Sequence, residues 1–175
     1  MGNFICDLKM RSNLIYNSNS FSFLVKSFFS EGFRSVLIFR LSNFFYKFHL
    51  TIISYILTEI NCILQRVKIG VGTKIGPGFV IAQSNGVVIS NKSIIGNNVF
   101  VEHQVTIGGR YPRTMKYPKI GNNVFIGCGA KILGNVKIGD NAKIGANAVV
   151  INDVPENSTA VGIPAKIVRK RISKK

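Results

Sequence analysis

A repeat with a period of six residues runs through the chain from Ile69 onward. A branched aliphatic residue stands at each repeat position, and a glycine follows most of them. The positions are Ile69, Ile75, Ile81, Ile95, Val101, Ile107, Ile120, Ile126, Ile132, Ile138, Ile144 and Val150. A half-buried strand alternates every two residues, and an amphipathic helix repeats every three or four. The period of six fits neither, and it indicates a solenoid in which each repeat packs only on its neighbours.

A three-sided coil accounts for this period. One inward-pointing aliphatic side chain per flat face, followed by a glycine at a tight corner, puts three repeats into a coil of 18 residues. Successive coils then pair as parallel strands about 4.8 Å apart and bury an aliphatic column along the axis. We predict a mainly β fold, a left-handed parallel β-helix over residues 66–158, with an α-helical region at 1–65 and a tail at 159–175.

The region before the repeat is rich in Phe, Ser and Leu and has helical spacing. Ser30, Glu31 and Gly32 begin a predicted helix whose apolar residues recur at three- and four-residue steps. Residues 50–64 predict a second helix, but polar residues leave it short of the ~20 apolar residues of a membrane span. A packed helix pair is one interpretation. Because basic residues stand beside many phenylalanines, a helix pair lying on an anionic bilayer is the other.

The formal net charge is +16, from 23 Lys and Arg against 7 Asp and Glu, which favours an anionic partner. A compositional bias towards Lys, Asn and Ile is the alternative explanation. The dispersed charge and the lack of a recognised motif argue against nucleic acid. Cys6, Cys62 and Cys128 are far apart, which predicts neither a disulfide framework nor a metal site. Residues 1–7 do not resemble a secretory signal, so we expect a cytoplasmic protein, with peripheral attachment to the inner membrane as a variant.

Two insertions interrupt the period. Ile81 and Ile95 are two repeats apart, but the distance between them is 14 residues instead of 12. Ile107 and Ile120 are one repeat apart, but the distance between them is 13 residues instead of 6. Extra residues in a solenoid leave the coil as loops. The second insertion therefore predicts a protruding loop at 109–119, with basic and aromatic residues that include Arg110 and Tyr117.

Counting through the insertions places Gln83, His103, Cys128 and Ala146 in one vertical file at one corner of the coil. The steps between them are 20, 25 and 18 residues, each equal to one coil plus any insertion. His103 is one of 2 histidines, and Glu102 precedes it. A neutral imidazole takes a proton from a hydroxyl near physiological pH, and a nearby carboxylate fixes its tautomer. A corner histidine that only hydrogen-bonds a backbone carbonyl is the alternative.

Four segments stand out beyond the repeat itself, namely residues 105–109, 117–121, 126–135 and 162–168. Together and in this order they resemble the serine acetyltransferase family and its surface-polysaccharide O-acetyltransferase relatives. The resemblance implies a homotrimer in which acetyl-CoA lies in a groove between neighbouring subunits. Residues that match the groove lining and the phosphate contacts of the family are Gly108, Gly109, Cys128, Ala146, Lys166, Arg169 and Lys170.

The chain departs from the serine enzymes at the residues on which their chemistry depends. Ala82 and Gln83 stand where that family carries an Asp–His pair, and Tyr117 stands where it carries a second histidine. Relatives that resemble the colanic acid acetyltransferase carry a histidine at the position of His103. The resemblance thus implies that Glu102 and His103 are the catalytic pair. His103 would deprotonate a sugar hydroxyl for attack on the thioester, and backbone amides near the loop would steady the oxyanion.

We therefore expect an acetyl-CoA-dependent O-acetyltransferase that acts on a sugar hydroxyl. The acceptor would be a capsular, O-antigen or exopolysaccharide unit or its precursor. Residues assigned to this carbohydrate are Gln83, Asn85, Arg110 and Tyr117. The alternatives are a serine O-acetyltransferase of cysteine synthesis and a non-catalytic trimeric binding scaffold.

Overall fold

The computed structural model describes residues 2–18, 20–110 and 116–168 of the 175-residue chain. Helices come first, and they are α1 (Gly2–Tyr16), α2 (Phe21–Phe28), α3 (Glu31–Lys47) and α4 (Thr51–Gln65). The two helices predicted from the sequence correspond to α3 and α4. The other two, α1 and α2, go beyond the prediction, and neither carries an acidic residue in its first turn. Within the described residues, none of the helices is long and apolar enough to cross a bilayer.

Short strands follow the helices. They are β1 (Val67–Ile69), β2 (Lys74–Ile75), β3 (Val80–Ile81), β4 (Val87–Ile89), β5 (Ile94–Ile95), β6 (Phe100–Val101), β7 (Thr106–Gly108), β8 (Lys119–Ile120), β9 (Phe125–Ile126), β10 (Lys131–Leu133), β11 (Lys137–Ile138), β12 (Lys143–Ile144), β13 (Val149–Val150), β14 (Thr159–Val161) and β15 (Lys166–Val168). Every third strand pairs, so that three sheets form the faces of a coil. The first face has the order β1-β4-β7-β10-β13, the second β2-β5-β8-β11, and the third β3-β6-β9-β12-β14 with β15 at its edge.

The repeat positions of the sequence form the core of this coil. All twelve aliphatic side chains are at most 8% exposed. The register pairs Val101 with Ile81 on one side and with Ile126 on the other, so equivalent repeats stack directly. Ile89, which the first insertion takes out of phase, is 1% exposed and fills the missing repeat position. The predicted parallel β-helix with preceding helices is confirmed.

An asparagine ladder runs up the corner between the second and third faces. Asn98, Asn123, Asn141 and Asn157 have φ values of 54° to 58°, in the left-handed region that Asn tolerates better than most residues. Each side-chain amide donates to the next Oδ1 along the ladder, at 3.1, 3.2 and 3.0 Å. The ladder therefore stabilises this sharp corner in four successive coils, and in the first coil Gly78, with a φ of 75°, takes the equivalent position.

Asp7 of α1 and Arg40 of α3 attach the helices to the β-helix. The Asp7 carboxylate accepts hydrogen bonds from Arg40 Nε at 2.9 Å and from the backbone N–H of Phe79 at 2.9 Å. Arg40 also donates to the carbonyl oxygens of Ile75 and Gly76. Burial raises the pKa of Asp7, and Arg40 and the Phe79 N–H oppose that rise. These contacts fix the helices against the first coil.

Candidate functional site

His103 and Glu102 occupy the corner between β6 on the third face and β7 on the first. Both side chains are partly exposed, His103 to 37% and Glu102 to 28%. The Nδ1 atom of His103 is buried, has no hydrogen-bond partner among the described residues, and lies 3.9 Å from Glu102 Oε2. This distance is longer than a hydrogen bond, but a small rotation of either side chain closes it. The arrangement fits an imidazole base oriented by a carboxylate.

Three of the four residues predicted for the corner file are stacked. The backbone N–H of Gly129 donates to the His103 carbonyl at 2.9 Å, and that of Asn147 donates to the Cys128 carbonyl at 2.7 Å. His103, Cys128 and Ala146 therefore occupy equivalent positions in successive coils. Cys128 is half-buried and Ala146 is exposed, so the file presents a surface with small side chains above the imidazole.

Gln83 does not take the fourth place in this file. The backbone N–H of Gln104 donates to the carbonyl of Asn85 at 2.9 Å, so Asn85 lies beneath His103 in the position predicted for Gln83. The reason is that the two inserted residues enter at the corner itself, after Ala82, whose N–H still pairs with the Val101 carbonyl. Counting residues from the preceding strand predicted Gln83 for the position beneath His103, and this prediction is wrong. Of the two predicted acceptor residues on this corner, Asn85 is the one in line with the imidazole.

The inserted corner packs against the N-terminal helices. The Arg11 guanidinium, only 6% exposed, donates to the carbonyl oxygens of Ile81 and Ala82. Ser84 donates to the Glu31 carboxylate at 2.8 Å. A cleft of about 430 Å³ lies here, lined by Arg11, Glu31, Gly32, Ala82, Gln83, Ser84 and Asn85. Sequence reasoning missed Arg11 and Glu31 as residues of this corner, because their hydrogen-bond partners lie between 53 and 71 residues away along the chain.

The start of the protruding loop lies at the opposite end of β7 from His103. The Gly108 carbonyl accepts a hydrogen bond from Gly134 N–H at 2.9 Å, and among the described residues a Cβ built on Gly108 would meet only Ser90 Cβ, at 4.0 Å. The Tyr117 ring covers Gly109, and Lys92 Nζ lies 5.6 Å from the centre of that ring. A single chain therefore does not bring the loop residues Arg110 and Tyr117 to His103, because the width of the first face separates them.

Of the three tail residues predicted to contact the coenzyme phosphates, the structure describes Lys166 alone. Lys166 begins β15 and is exposed. Arg169 and Lys170 lie outside the described residues. Within the described part of the chain, no group of three or more His, Cys, Asp or Glu side chains is arranged to hold a metal ion.

The chain is similar to known transferases. A model of the family "Bacterial transferase hexapeptide (six repeats)" matches residues 117–152. Among solved structures, serine acetyltransferase from Brucella abortus has 30% sequence identity and a TM-score of 0.85, with 95% of this chain and 69% of that one covered. The soybean serine acetyltransferase has 34% identity and a TM-score of 0.83, with 95% and 68% covered. The Neisseria gonorrhoeae serine acetyltransferase has 32% sequence identity and a TM-score of 0.89, with 99% of this chain and 66% of that one covered.

The similar structures are longer proteins, and the chain spans about two thirds of their length. The Brucella abortus enzyme has also been solved in complex with coenzyme A, with 30% identity to this chain and a TM-score of 0.85. No curated protein matches the chain.

Proposed function

The chain belongs to the hexapeptide-repeat acetyltransferase family, and we propose that it transfers the acetyl group of acetyl-CoA to a hydroxyl oxygen with His103 as general base. One observation carries the assignment of the base. A partly exposed imidazole, with a buried Nδ1 facing the Glu102 carboxylate at 3.9 Å, stands in file with Cys128 and Ala146 on a corner of the β-helix.

The proposed transfer needs one proton carrier. His103 takes the proton of the acceptor hydroxyl as its oxygen bonds to the carbonyl carbon of the thioester. The carbon–sulfur bond then breaks, and His103 returns the proton to the sulfur, so that coenzyme A leaves as a thiol. Glu102 positions the imidazole and stabilises its transient positive charge. The backbone amides near Gly108 and Gly109 of a neighbouring copy stabilise the negative charge that develops on the carbonyl oxygen.

The proposed coenzyme groove has the surface chemistry that a long, flexible thioester requires. Gly108 and Ala146 present little side chain, and the Cβ space at Gly108 is open to 4.0 Å. Lys166 supplies an exposed ammonium for a phosphate, and we propose that Arg169 and Lys170 add to it. The structural similarity to a serine acetyltransferase solved with coenzyme A supports this ligand.

We propose a homotrimer, because one chain holds only part of the site. His103 and the loop lie at opposite ends of β7, so a complete site requires the loop of a neighbouring copy to approach the His103 corner. The arrangement is supported by the family membership, since trimers are typical of hexapeptide-repeat acetyltransferases. Arg110 and Tyr117 would then reach the acceptor from the neighbouring subunit.

The acceptor that the site residues favour is a sugar hydroxyl of a surface polysaccharide or its precursor. Ala82 and Gln83 lack the titrating side chains of an Asp–His pair. The cleft beside them, at about 430 Å³, has room for a sugar ring and is lined by polar groups. Asn85, beneath His103, offers both a donor and an acceptor to a carbohydrate.

Serine is the second candidate acceptor, and the comparisons support it better than they support a sugar. The solved structures similar to this chain are serine acetyltransferases with 30% to 34% identity. In this version of the proposal the base has moved from the position of Gln83 to that of His103, one coil further along the axis, and serine binds at the inserted corner.

A direct assay separates the two acceptors. Release of the coenzyme A thiol is measured with acetyl-CoA and either L-serine or a panel of nucleotide sugars and oligosaccharides, and the product is identified by its mass. Serine-independent acetylation of a sugar supports the first candidate, and O-acetylserine formation supports the second. If the protein binds coenzyme A and acetylates none of these acceptors, the non-catalytic trimeric scaffold replaces both.

We also propose peripheral contact with an anionic membrane from the cytoplasmic side, which would bring the site close to lipid-linked acceptors.

A further inference from the structure

The helical hairpin formed by α3 and α4 has a polar interior. Ser35, Ser42, Ser54, Thr58 and Asn61 are all buried between the two helices, at 7% exposure or less. Ser42 and Ser54 each donate to the other's backbone carbonyl, and the Thr58 and Ser42 hydroxyls lie 3.1 Å apart. The Ser35 hydroxyl donates to Asn61 Oδ1 at 2.9 Å, and the Asn61 amide returns a bond to the Ser35 carbonyl at 3.1 Å. Small polar residues thus hold the helices together.

The opposite side of α4 is apolar and faces away from the protein. Six large side chains on it are between 38% and 76% exposed. They are Ile52, Tyr55, Ile56, Ile60, Ile63 and Leu64, and we call them the outer face of α4. The spacing from Ile52 through Ile56 and Ile60 to Ile63 is that of one side of a helix. The apolar side of α4 is therefore the side that no element of the described chain covers.

This polarity is the reverse of that in a water-soluble helix pair. A surface helix of a soluble protein turns its apolar side to the core and its polar side to water. Helices surrounded by lipid instead use small residues and hydrogen-bonding side chains at their interface and leave aliphatic side chains outside. Such a large, contiguous apolar surface marks a binding site for a partner or a membrane.

We propose that the outer face of α4 docks on an anionic lipid bilayer, with the helix lying in the plane of the interface. At 15 residues α4 is about 22 Å long, which is shorter than the ~30 Å hydrocarbon core, so it lies on the membrane and does not cross it. Tyr55 suits the headgroup level, because its ring is apolar and its hydroxyl is polar. This inference rests on the membrane contact proposed above and is independent of the acetyl transfer itself.

Charge favours an anionic bilayer as the occupant. Glu59, the charged residue that lies among the outer-face side chains, is paired with Lys68 Nζ at 2.9 Å. Exposed basic residues flank the helix, with Lys47 before it and Arg66 after it. The formal net charge of the chain is +16, and anionic headgroups attract this charge over long range. The mass of the protein in solution distinguishes a second copy from a bilayer.

Vesicle flotation tests the proposal. The full-length protein is mixed with vesicles of phosphatidylcholine and phosphatidylglycerol, and with vesicles of phosphatidylcholine alone. We expect binding to the anionic vesicles, and a decrease of at least about tenfold in the Ile56→Asp/Ile63→Asp variant, because each aspartate must be desolvated at the interface. The matched control is Ile94→Asp, which adds one charge at an aliphatic side chain of the β-helix that is 41% exposed.

The outcomes discriminate between occupants. Loss of vesicle binding in the double variant, with unchanged circular dichroism and unchanged mass in solution, supports the proposal. Failure of the unaltered protein to bind anionic vesicles overturns it, as does full binding by the folded double variant. A smaller mass in solution for the double variant overturns it in favour of a second copy. If the double variant does not fold, Ile63→Ser, at the most exposed position of the face, takes its place. Normal vesicle binding by an inactive His103→Ala variant keeps this inference separate from the transfer chemistry.

Discussion

The Nδ1 atom of His103 lies 3.9 Å from the Glu102 carboxylate and is buried without a hydrogen-bond partner among the described residues. A buried polar nitrogen in this state costs free energy until it acquires a partner. The carboxylate is the acidic group within reach, and a small rotation brings the two together. Binding of the substrates at this corner would therefore order the pair in the geometry that general base catalysis requires.

Replacement of His103 by alanine is expected to reduce acetyl transfer by at least about 100-fold, because Asn85, Cys128 and Ala146, the other described residues of this corner file, include no second imidazole or carboxylate. The mass of the oligomer should not change, since the side chain is at the surface of the coil and outside its core. Transfer is followed by release of the coenzyme A thiol, and the mass by light scattering. His49→Ala, which removes the other histidine, is the control. Full activity in the His103→Ala variant would eliminate this residue as the base.

Replacement of Glu102 by glutamine is expected to lower kcat about tenfold and to leave KM for acetyl-CoA unchanged, because the carboxylate acts only through the imidazole. Steady-state kinetics at saturating acceptor give both constants. An unchanged kcat would show that the imidazole needs no carboxylate. A rise in KM with constant kcat would assign Glu102 to binding the substrate.

Substitutions at two glycines distinguish residues of the proposed coenzyme groove from residues that are needed for the packing of the coils. A methyl group at Gly108 meets no atom of the described residues closer than 4.0 Å, so Gly108→Ala should fold normally and weaken binding of acetyl-CoA. A methyl group at Gly127 would lie 2.7 Å from the backbone N of Ala146, so Gly127→Ala should lower the free energy of unfolding by about 2 kcal/mol or more. Calorimetry measures the binding and thermal unfolding the stability. Undiminished affinity in a folded Gly108→Ala protein would remove this residue from the proposed groove.

Replacement of Asp7 by asparagine is expected to lower the free energy of unfolding by about 2 kcal/mol at neutral pH, because an amide NH2 in place of Oδ2 cannot accept the hydrogen bond that Arg40 Nε donates. It should also change the pH dependence. Burial raises the folded-state pKa of Asp7 above its ordinary value of 3.8. Protonated Asp7 therefore contributes to the free energy of unfolding, and this contribution is fully present below pH 3.8. The contribution is lost as the pH rises through the raised pKa.

This pH-dependent loss should be absent in the asparagine variant, which does not titrate. Denaturant unfolding of both proteins at a series of pH values, starting near 3.8, measures the difference. Parallel stability curves for the two proteins would mean that Asp7 has the same pKa in the folded and the unfolded chain.

The asparagine ladder is tested at Asn123. Asn123→Ala should lower the free energy of unfolding by about 2 kcal/mol. The variant loses two hydrogen bonds of the ladder, and alanine tolerates the left-handed φ of 54° less well than asparagine does. Asn123→Gly removes the same hydrogen bonds but tolerates this φ, so it should cost less. Thermal unfolding gives both values. Equal losses would mean that the hydrogen bonds, and not the backbone conformation, account for the ladder.

The period of six predicts the core because every repeat position has the same environment, an aliphatic side chain pointing into a coil. It does not predict which residues leave the coil at an insertion. The strand count assigned Gln83 to the place beneath His103, whereas hydrogen bonding puts Asn85 there. That choice depends on the helices, since Arg11 and Glu31 hold the inserted corner.

The helices α1 and α2 escape sequence analysis for a related reason. Asp7 on α1 is stabilised by Arg40 and by the Phe79 N–H, which are 33 and 72 residues away along the chain. No local pattern of spacing reports contacts of that kind. The exposed apolar side of α4 is different, since its composition is visible in the sequence, but only the structure reveals that its polar residues face inward.

The antiparallel pairing of β15 with β14 has a consequence for the behaviour of the protein at high concentration. A stack of parallel coils ends in an open rim of unpaired backbone groups, and a second molecule could add its own coils there without limit. β15 folds back over Thr159–Val161 and occupies the hydrogen-bonding groups of that rim. Head-to-tail growth into fibres is thereby blocked at the third face, so the length of the rod is fixed by the chain itself.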